Sequence, residues 1–446
     1  MGVMDRGSGR LVGIDAVAFP RKRKVNRAAF PRDLAEMVAS RWDIMIAGDH
    51  IAPACPPKEK LRTILEASYL AAASPEEGRY SQFNVVVTKE GLAQTAKPDI
   101  NFHPFVQPRT LTVSELQRLA PASDLRKSAI WITWDDNEIC VAGLVDLGTS
   151  WHRARLGLSY NYAVPNNLLI QVDRPGRMKV YQGQFHVGSL IDGEVTRGGV
   201  EINAFLHTPV DQGLRVMGKR FAPPKFEEPK DYHGFCFTAL WNVFSSIANS
   251  IALSGHGGML VVAPVDATEM VKHLRIKYPT GSDFLQTAFV DFINARNVTA
   301  DFWEQFERAN KKSSAKYFKS ELVLSAASDR LTETTRFVAQ LAGCDGAIVL
   351  SSDLRLMGFG AEVCAEFASG VAVSEVIDEF AQKHKTCDVE QFGMRHRSAI
   401  KLVSQAADAH VVVVSQDGPI SVVWYEDKRV MVKRGVSLVN RNIPWA

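Results

Sequence analysis

The chain reads as two units: an N-terminal α+β region, and a C-terminal α/β domain whose mixed sheet is flanked by helices. Three observations predict this. From Phe30 the apolar residues recur at helical spacing. From Phe83 short period-two and continuous apolar runs alternate with Gly, Pro, Asn and Asp turns. From Cys344 strand, helix and strand patterns alternate. At 446 residues the chain exceeds one small core, and two or three domains are expected.

Apolar residues make up 46% and charged residues 23%, as in an ordinary soluble protein. The formal net charge of +3 is slight for this length and argues against a genome-coating or polybasic membrane-binding chain. Six cysteines are scattered with no C-x-x-C pair and no zinc spacing, which predicts free thiols in a reducing compartment. No signal-peptide core opens the chain, and Arg6 stands where a myristoylation signal wants Ser or Thr. The most membrane-like stretch, Phe237 to Leu253, carries Asn242, Asn249 and several serines, and reads as a buried or amphipathic helix. The expectation is a soluble, cytoplasmic protein.

In chain order, residues 1–27 form a Gly-rich and then basic stretch ending in "PRKRKVNR", read as a solvated, flexible tail. "FPRDLAEMVASRWDIM" and "PPKEKLRTILEASYLAAAS" follow as helices, with Leu61, Ile64, Leu65, Ser68 and Leu70 on one broad face. "FNVVVT", "SAIWITW", "EICVAGLVDL", "NNLLIQV" and "MKVYQGQFHVGSL" are strands. His103, His152, His186 and His207 are dispersed among them and assemble no catalytic set. The proline-rich "FAPPKFEEPKD" reads as a linker or an extended crossing. A helix, the turn-strand "GHGGMLVVAP", two helical segments ("DFLQTAFVDFINAR" and "TADFWEQFERANKK") and a further helix over "SELVLSAASDRLTETTRFVAQLAG" come next. The last portion comprises the strands "CDGAIVLS" and "LRLMGFGAEV" and a short helix over "SEVIDEFAQKH". After them come a helix over "SAIKLVSQAAD", the buried strand "AHVVVVSQDG" and the hairpin "ISVVWYEDKRVMV".

Three places in that last portion carry chemistry. Arg395, His396 and Arg397 stand at the mouth of a helix, where unpaired N–H groups already make a partial positive charge. Cations there make electrostatic sense when an anion binds, and phosphate matches both the arginine forks and the helix N-terminus. Taken alone, the tripeptide also fits a solvated helix face. Asp345 in "DGA" offers a carboxylate for a divalent cation that shares phosphate oxygens, and Gly346 admits close approach to the backbone. Alone it is a turn. In "VSQDG", Ser415 offers a hydroxyl and an N–H to phosphate, and Asp417 offers a second carboxylate; a tight hairpin turn is the plain alternative.

Taken together, "CDGAIVLSSDLRLMGFGAEV" and "GMRHRSAIKLVSQAADAHVVVVSQDGPISVV" resemble the diadenylate cyclase (DAC) domain, which carries D-G-A, R-H-R and a Ser-Glu turn in this order. The resemblance spans Leu322 to Arg441. It implies that two ATP molecules are condensed into cyclic di-AMP with release of two pyrophosphates. It implies that Asp345 holds Mg²⁺ or Mn²⁺ and orients the attacking ribose hydroxyl. Arg395, His396 and Arg397 would bind the triphosphate, with His396 near a metal. Gly346, Ala347, Met394, Ser398 and Ser415 would line the ATP site, and Asp417 would stand in as metal ligand. Each domain would hold one ATP, so two domains would meet face to face in a homo-oligomer. Two departures stand out: Met394 replaces the family's Thr before R-H-R, and Gln416 replaces its Glu after the serine. A neutral amide is a poor ligand for a hard cation.

"FPRDLAEMV", "LEASYLAAASPEEGR" and "LAPASDL" resemble a region fused ahead of some DAC domains and proposed to be a sensor. The implied order is a basic tail over 1–27, a sensor-like α+β domain over 28–220, and a linker with helical and strand segments over 221–320 that the sensor could include. The DAC domain would occupy 321–446. The signal would be a small molecule or protein of unknown identity. "EEGR" at 76–79 reads as a charged turn. "GHGGMLVV" echoes "GCDGAIVL", but Gly257 stands where Asp345 would, so the echo reads as coincidental and His256 as structural. Two function classes follow: a regulated cyclase, or a catalytically weak DAC-like nucleotide-binding sensor, the reading that Gln416 and Met394 favour. Nucleic-acid binding is disfavoured by the slight charge and the absence of a helix-turn-helix pattern.

Overall fold

The computed structural model describes residues 28–42, 55–76, 79–89, 100–148, 167–183, 185–197, 203–308, 314–377, 383–416 and 420–436. The basic tail, Asp417, His152 and the centre of "EEGR" lie outside the described residues.

The first unit opens with α1 (Pro31–Arg41) and α2 (Lys58–Ala73), then a two-residue ribbon of β1 (Pro75–Glu76) and β2 (Arg79–Tyr80). Its sheet comprises β3 (Phe83–Lys89), β4 (Asn101–Thr110), β5 (Ser128–Trp134), β6 (Ile139–Asp146), β7 (Leu168–Arg174), β8 (Arg177–Gln182), β9 (Phe185–Ile191) and β10 (Glu194–Arg197). α3 (Val113–Leu119) lies between β4 and β5. The strand order is β10-β9-β8-β7-β3-β5-β6-β4, and β3–β5 is its parallel pair. Alternation directs Val85, Ile130, Ile132 and Ile170 to one face, where Leu34, Val38, Leu61, Ile64 and Leu65 of the helices cover them. Leu70 departs from the expected α2 face and is exposed, while Ala71 and Ala72 are buried. The reason is phase: Ala72 lies one turn beyond Ser68, and Leu70 does not. His186 is a core histidine, its pKa pushed down to about 3 by burial and then by Lys179.

The second unit begins well before the expected boundary at 320/321. It contains α4 (Asn203–Met217), α5 (Pro229–Ser254), β11 (Gly258–Ala263), β12 (Leu274–Ser282), α6 (Phe284–Arg308), α7 (Ser314–Gln340), β13 (Ala347–Ser351) and β14 (Leu356–Val363). It continues with β15 (Ala372–Val376), β16 (His384–Thr386), α8 (Met394–Gln405), β17 (His410–Val414), β18 (Ile420–Glu426) and β19 (Arg429–Val436). The sheet order is β12-β14-β13-β11-β17-β18-β19-β15-β16. Segment 221–320 therefore supplies two strands of this sheet. The cause is the parallel β11–β13 pair, which needs a long crossover, and β12, α6 and α7 provide it. α4, inside the expected sensor domain, also packs here through Leu206, Val210 and Leu214.

Two further expectations change, and the buried-helix reading of the membrane-like stretch holds. The two helical segments expected over 283–312 are one continuous helix, α6, as far as Arg308. The short helix expected over 374–384 is not formed at its ends: Ser374–Val376 lies in β15, which pairs with β16 at His384. The membrane-like stretch lies in α5, the described helix apolar enough to span, and 72% of its most apolar window is buried in the protein. Phe235, Leu240, Phe244 and Ile247 of α5 pack in one core with Leu260 and Ile348 of the sheet. The opposite sheet face is covered by α8 through Ala399, Ile400, Leu402 and Val403.

Residues 221–228 of "FAPPKFEEPKD" are the extended crossing, a strap along α6, and its last three residues, Pro229 to Asp231, open α5. Ala222 N–H donates to Asn294 Oδ1 at 2.8 Å, and Lys225 N–H donates to Asp301 Oδ1 at 2.7 Å. Asn297 Nδ2 donates to the Ala222 carbonyl at 2.8 Å, and Arg296 pairs with Glu227. Side chains one turn apart along α6 thus satisfy backbone groups that prolines leave without a ladder.

Candidate functional site

The register of the second sheet decides what meets. Met259 of β11 aligns with Ala347 of β13, and Gly258 with Val414 of the antiparallel β17. The starts of β11 and β13 and the end of β17 therefore lie at one end of the sheet. This brings Asp345, Gly346, Gly257 and the Ser415–Gln416 turn together. α8, packed on β17, β18 and β19, starts over the same end.

Arg395 reaches this sheet end. Its Nη2 is 3.5 Å from the His256 carbonyl, and its Nη1 is 3.0 Å from where a Cβ on Gly257 would stand. The "GHGG" turn, read from sequence as a coincidental echo, thus borders the site. Position 257 has φ +65°, and a Cβ there would sit 2.7 Å from Gln416 N and 2.9 Å from the Val414 carbonyl oxygen. Both are backbone atoms, so neither yields cheaply. Gly257→Ala is expected to cost about 1–3 kcal/mol in stability and to weaken polyphosphate binding by displacing Arg395. Gly255→Ala is the control, since Gly255 has φ +73° with nothing within 4 Å of its Cβ position. It shares the strain but not the clash. Equal polyphosphate affinity in the two variants, by titration calorimetry, would remove Gly257 from the site.

The other two members of R-H-R point elsewhere, because successive helix residues are turned by about 100°. Arg397 Nη1 lies 2.5 Å from Glu390 Oε2. His396 is half-buried and stacks on Phe392, with ring centroids 6.0 Å apart at 29°. Its Nε2 is buried with no hydrogen-bond partner. Burial first, and Arg434 second, lower its pKa, so the imidazole is neutral near pH 7. The helix mouth therefore carries two cations and one neutral ring. Met394 is 78% exposed and Ser398 is half-buried.

Asp345 is exposed at the head of β13, and its carboxylate has no partner among the described residues. Gly346 has φ +115°, and a Cβ would meet Gly360 C at 2.5 Å and Ala361 N at 2.8 Å. The glycine is thus required by the packing of β13 on β14. Ala347 turns its side chain into the core. Ser415 is half-buried and Gln416 exposed. Among the described residues no three His, Cys, Asp or Glu side chains group as a metal site. The donor set fits Mg²⁺ or Mn²⁺ as a one-carboxylate site completed by substrate phosphates, a common arrangement for magnesium. His396 Nε2 is buried with no hydrogen-bond partner, so that atom is not open to an ion there.

No curated protein and no solved structure matches the chain. Residues 50–146 match the family model of the probable sensor domain DACNV, a sensor domain typically found with DAC domains. The matched span takes in α2, α3 and β3 to β6 of the first unit and ends before the second sheet begins. That part of the chain is therefore similar to the DACNV sensor domain, in a chain with two mixed sheets flanked by helices.

Proposed function

We propose that the second unit is a diadenylate cyclase domain and that the first unit regulates it in response to a small-molecule or protein signal. One observation carries the reading: Asp345, Arg395 and the Ser415–Gln416 turn, distant in sequence, share one sheet end walled by Gly257. A carboxylate, a guanidinium and a serine hydroxyl in one place suit a nucleoside triphosphate with a divalent cation. The resemblance to the DAC domain names ATP, and the match to the DACNV sensor domain supports that setting.

Arg395 holds phosphate oxygens, and Ser415 supplies a hydroxyl. When bound through Asp345, Mg²⁺ or Mn²⁺ supplies charge neutralisation at the phosphates. In the reaction the 3′-hydroxyl of one ATP attacks the α-phosphorus of the other and loses its proton. The bond from the α-phosphorus to the bridging oxygen breaks, and pyrophosphate leaves. The reciprocal attack closes the ring, so two ATP give cyclic di-AMP and two pyrophosphates. Positioning does most of the work, so two copies of the domain face each other, each with one ATP. The chain acts in the cytoplasm, where ATP is supplied.

A second reading is a catalytically weak nucleotide-binding sensor. The inward turn of His396, the exposed Met394 and the neutral Gln416 favour it. Incubating the purified full chain with ATP and Mn²⁺, followed by mass analysis of the product, separates the two. A cyclic dinucleotide with two equivalents of pyrophosphate is expected. ATP bound but unchanged would move the protein to the second reading, and no ATP binding would sink both.

A further inference from the structure

The two arginines of R-H-R differ in their partners. Arg395 has a long contact to a carbonyl, whereas Arg397 is held by a carboxylate at 2.5 Å. Glu390 sits on a single 3₁₀ turn, Val389–Gln391, immediately before α8. Asp388 caps that turn, accepting a hydrogen bond from Glu390 N–H at 3.0 Å. α8 itself has Gly393 as N-cap, no side-chain cap bond, and no acidic residue in its first turn. Among the described residues, Glu390 is the carboxylate paired with an arginine of R-H-R, while Glu366 pairs with Lys401 two turns into α8. Glu390 lies at the positive end of the helix, where a negative group is favoured.

Side chains of a first helical turn lean toward the N-terminus, so Arg397 projects to the same end of α8 as Arg395 although it leaves the axis in another direction. A polyphosphate held by Arg395 would approach a guanidinium already occupied by a carboxylate. Two anions then compete for one cation. Glu390 is 73% exposed and Arg397 34%, so the pair is a rim contact that water and salt weaken and that can exchange.

We infer that Glu390 is an internal stand-in for phosphate: it occupies Arg397 in the nucleotide-free protein and is displaced by the incoming polyphosphate, and so sets the affinity of the site. The inference rests on the proposal that this sheet end binds a polyphosphate. Glu390 is here an affinity-determining residue, and it takes no part in bond making. The carboxylate gives the helix mouth an anion when no nucleotide is present, which limits repulsion between the arginines. The same carboxylate opposes binding, and a weaker anion such as a monophosphate displaces it less readily than a triphosphate.

The test compares wild type, Glu390→Gln, Arg397→Gln and the double variant of the full chain by titration calorimetry at low salt. The probes are an ATP analogue with a methylene between its α and β phosphorus atoms, and inorganic tripolyphosphate. Glu390→Gln is expected to bind both probes about two- to fivefold tighter, the range of an exposed ion pair. The gain should vanish when Arg397 is also Gln. Glu390→Asp should keep the wild-type affinity within that range. Unchanged or weaker binding by Glu390→Gln overturns the inference, and so does an equal gain in the Arg397→Gln background. Tripolyphosphate responding while the analogue does not bind would keep Glu390 in its role and sink the nucleotide reading. No binding of either probe by any variant sinks both.

Discussion

Asp345→Asn is expected to lower cyclic dinucleotide formation about a hundredfold or more while leaving the melting temperature unchanged. The carboxylate is exposed at the head of β13 and has no partner among the described residues, so its loss breaks no contact of the fold. It is also the hard oxygen donor that the sheet register brings to the end where Arg395 lies. A divalent ion supplies several kcal/mol of charge stabilisation to phosphoryl transfer, and each 1.36 kcal/mol is about a tenfold change in rate. Pyrophosphate release measured at saturating ATP and Mn²⁺ reads the effect. A folded variant with near-wild-type turnover would reject the metal role of Asp345.

Glu227→Ala is expected to destabilise the second unit by about 3–5 kcal/mol, because it leaves Arg296 buried without its counter-charge. Arg296 is 3% exposed and Glu227 13%. Arg296 Nη2 donates to Glu227 Oε1 at 3.1 Å, and the guanidinium lies 4.2 Å from the centroid of Phe235. Its Nε is buried with no hydrogen-bond partner, and among the described residues Glu227 is the carboxylate that pairs with it. The lost pair also unfastens the strap that leads from α4 into α5. Calorimetry should show the melting temperature of this unit falling by roughly 10 °C. The double variant Glu227→Gln with Arg296→Met should recover much of the loss, since an apolar side chain of similar volume can replace a buried pair. A fall of less than about 1 kcal/mol in Glu227→Ala would show that water reaches the pair.

The sequence by itself determined the kinds of element and where chemistry gathers. "AIVLS", "HVVVV" and "ISVVWYE" are strands because continuous β-branched and aromatic runs between turn residues leave no helical phase. Arg395 at a helix mouth and Asp345 at a strand head were legible because both are local patterns. Partnership was not legible. That residues 258–282 supply strands to the sheet of Asp345 depends on β11–β13 pairing across 83 residues of intervening chain, those between Ala263 and Ala347, and no local period records it. The "GHGG" echo became a wall of the site only when β11 and β17 aligned Gly258 with Val414. The division of R-H-R into an exposed arginine, a half-buried neutral histidine and an arginine paired with Glu390 was likewise settled by tertiary structure. Three adjacent letters share a helix, but the helix turns each toward a different neighbour, and burial and charge act on the neighbour each one meets.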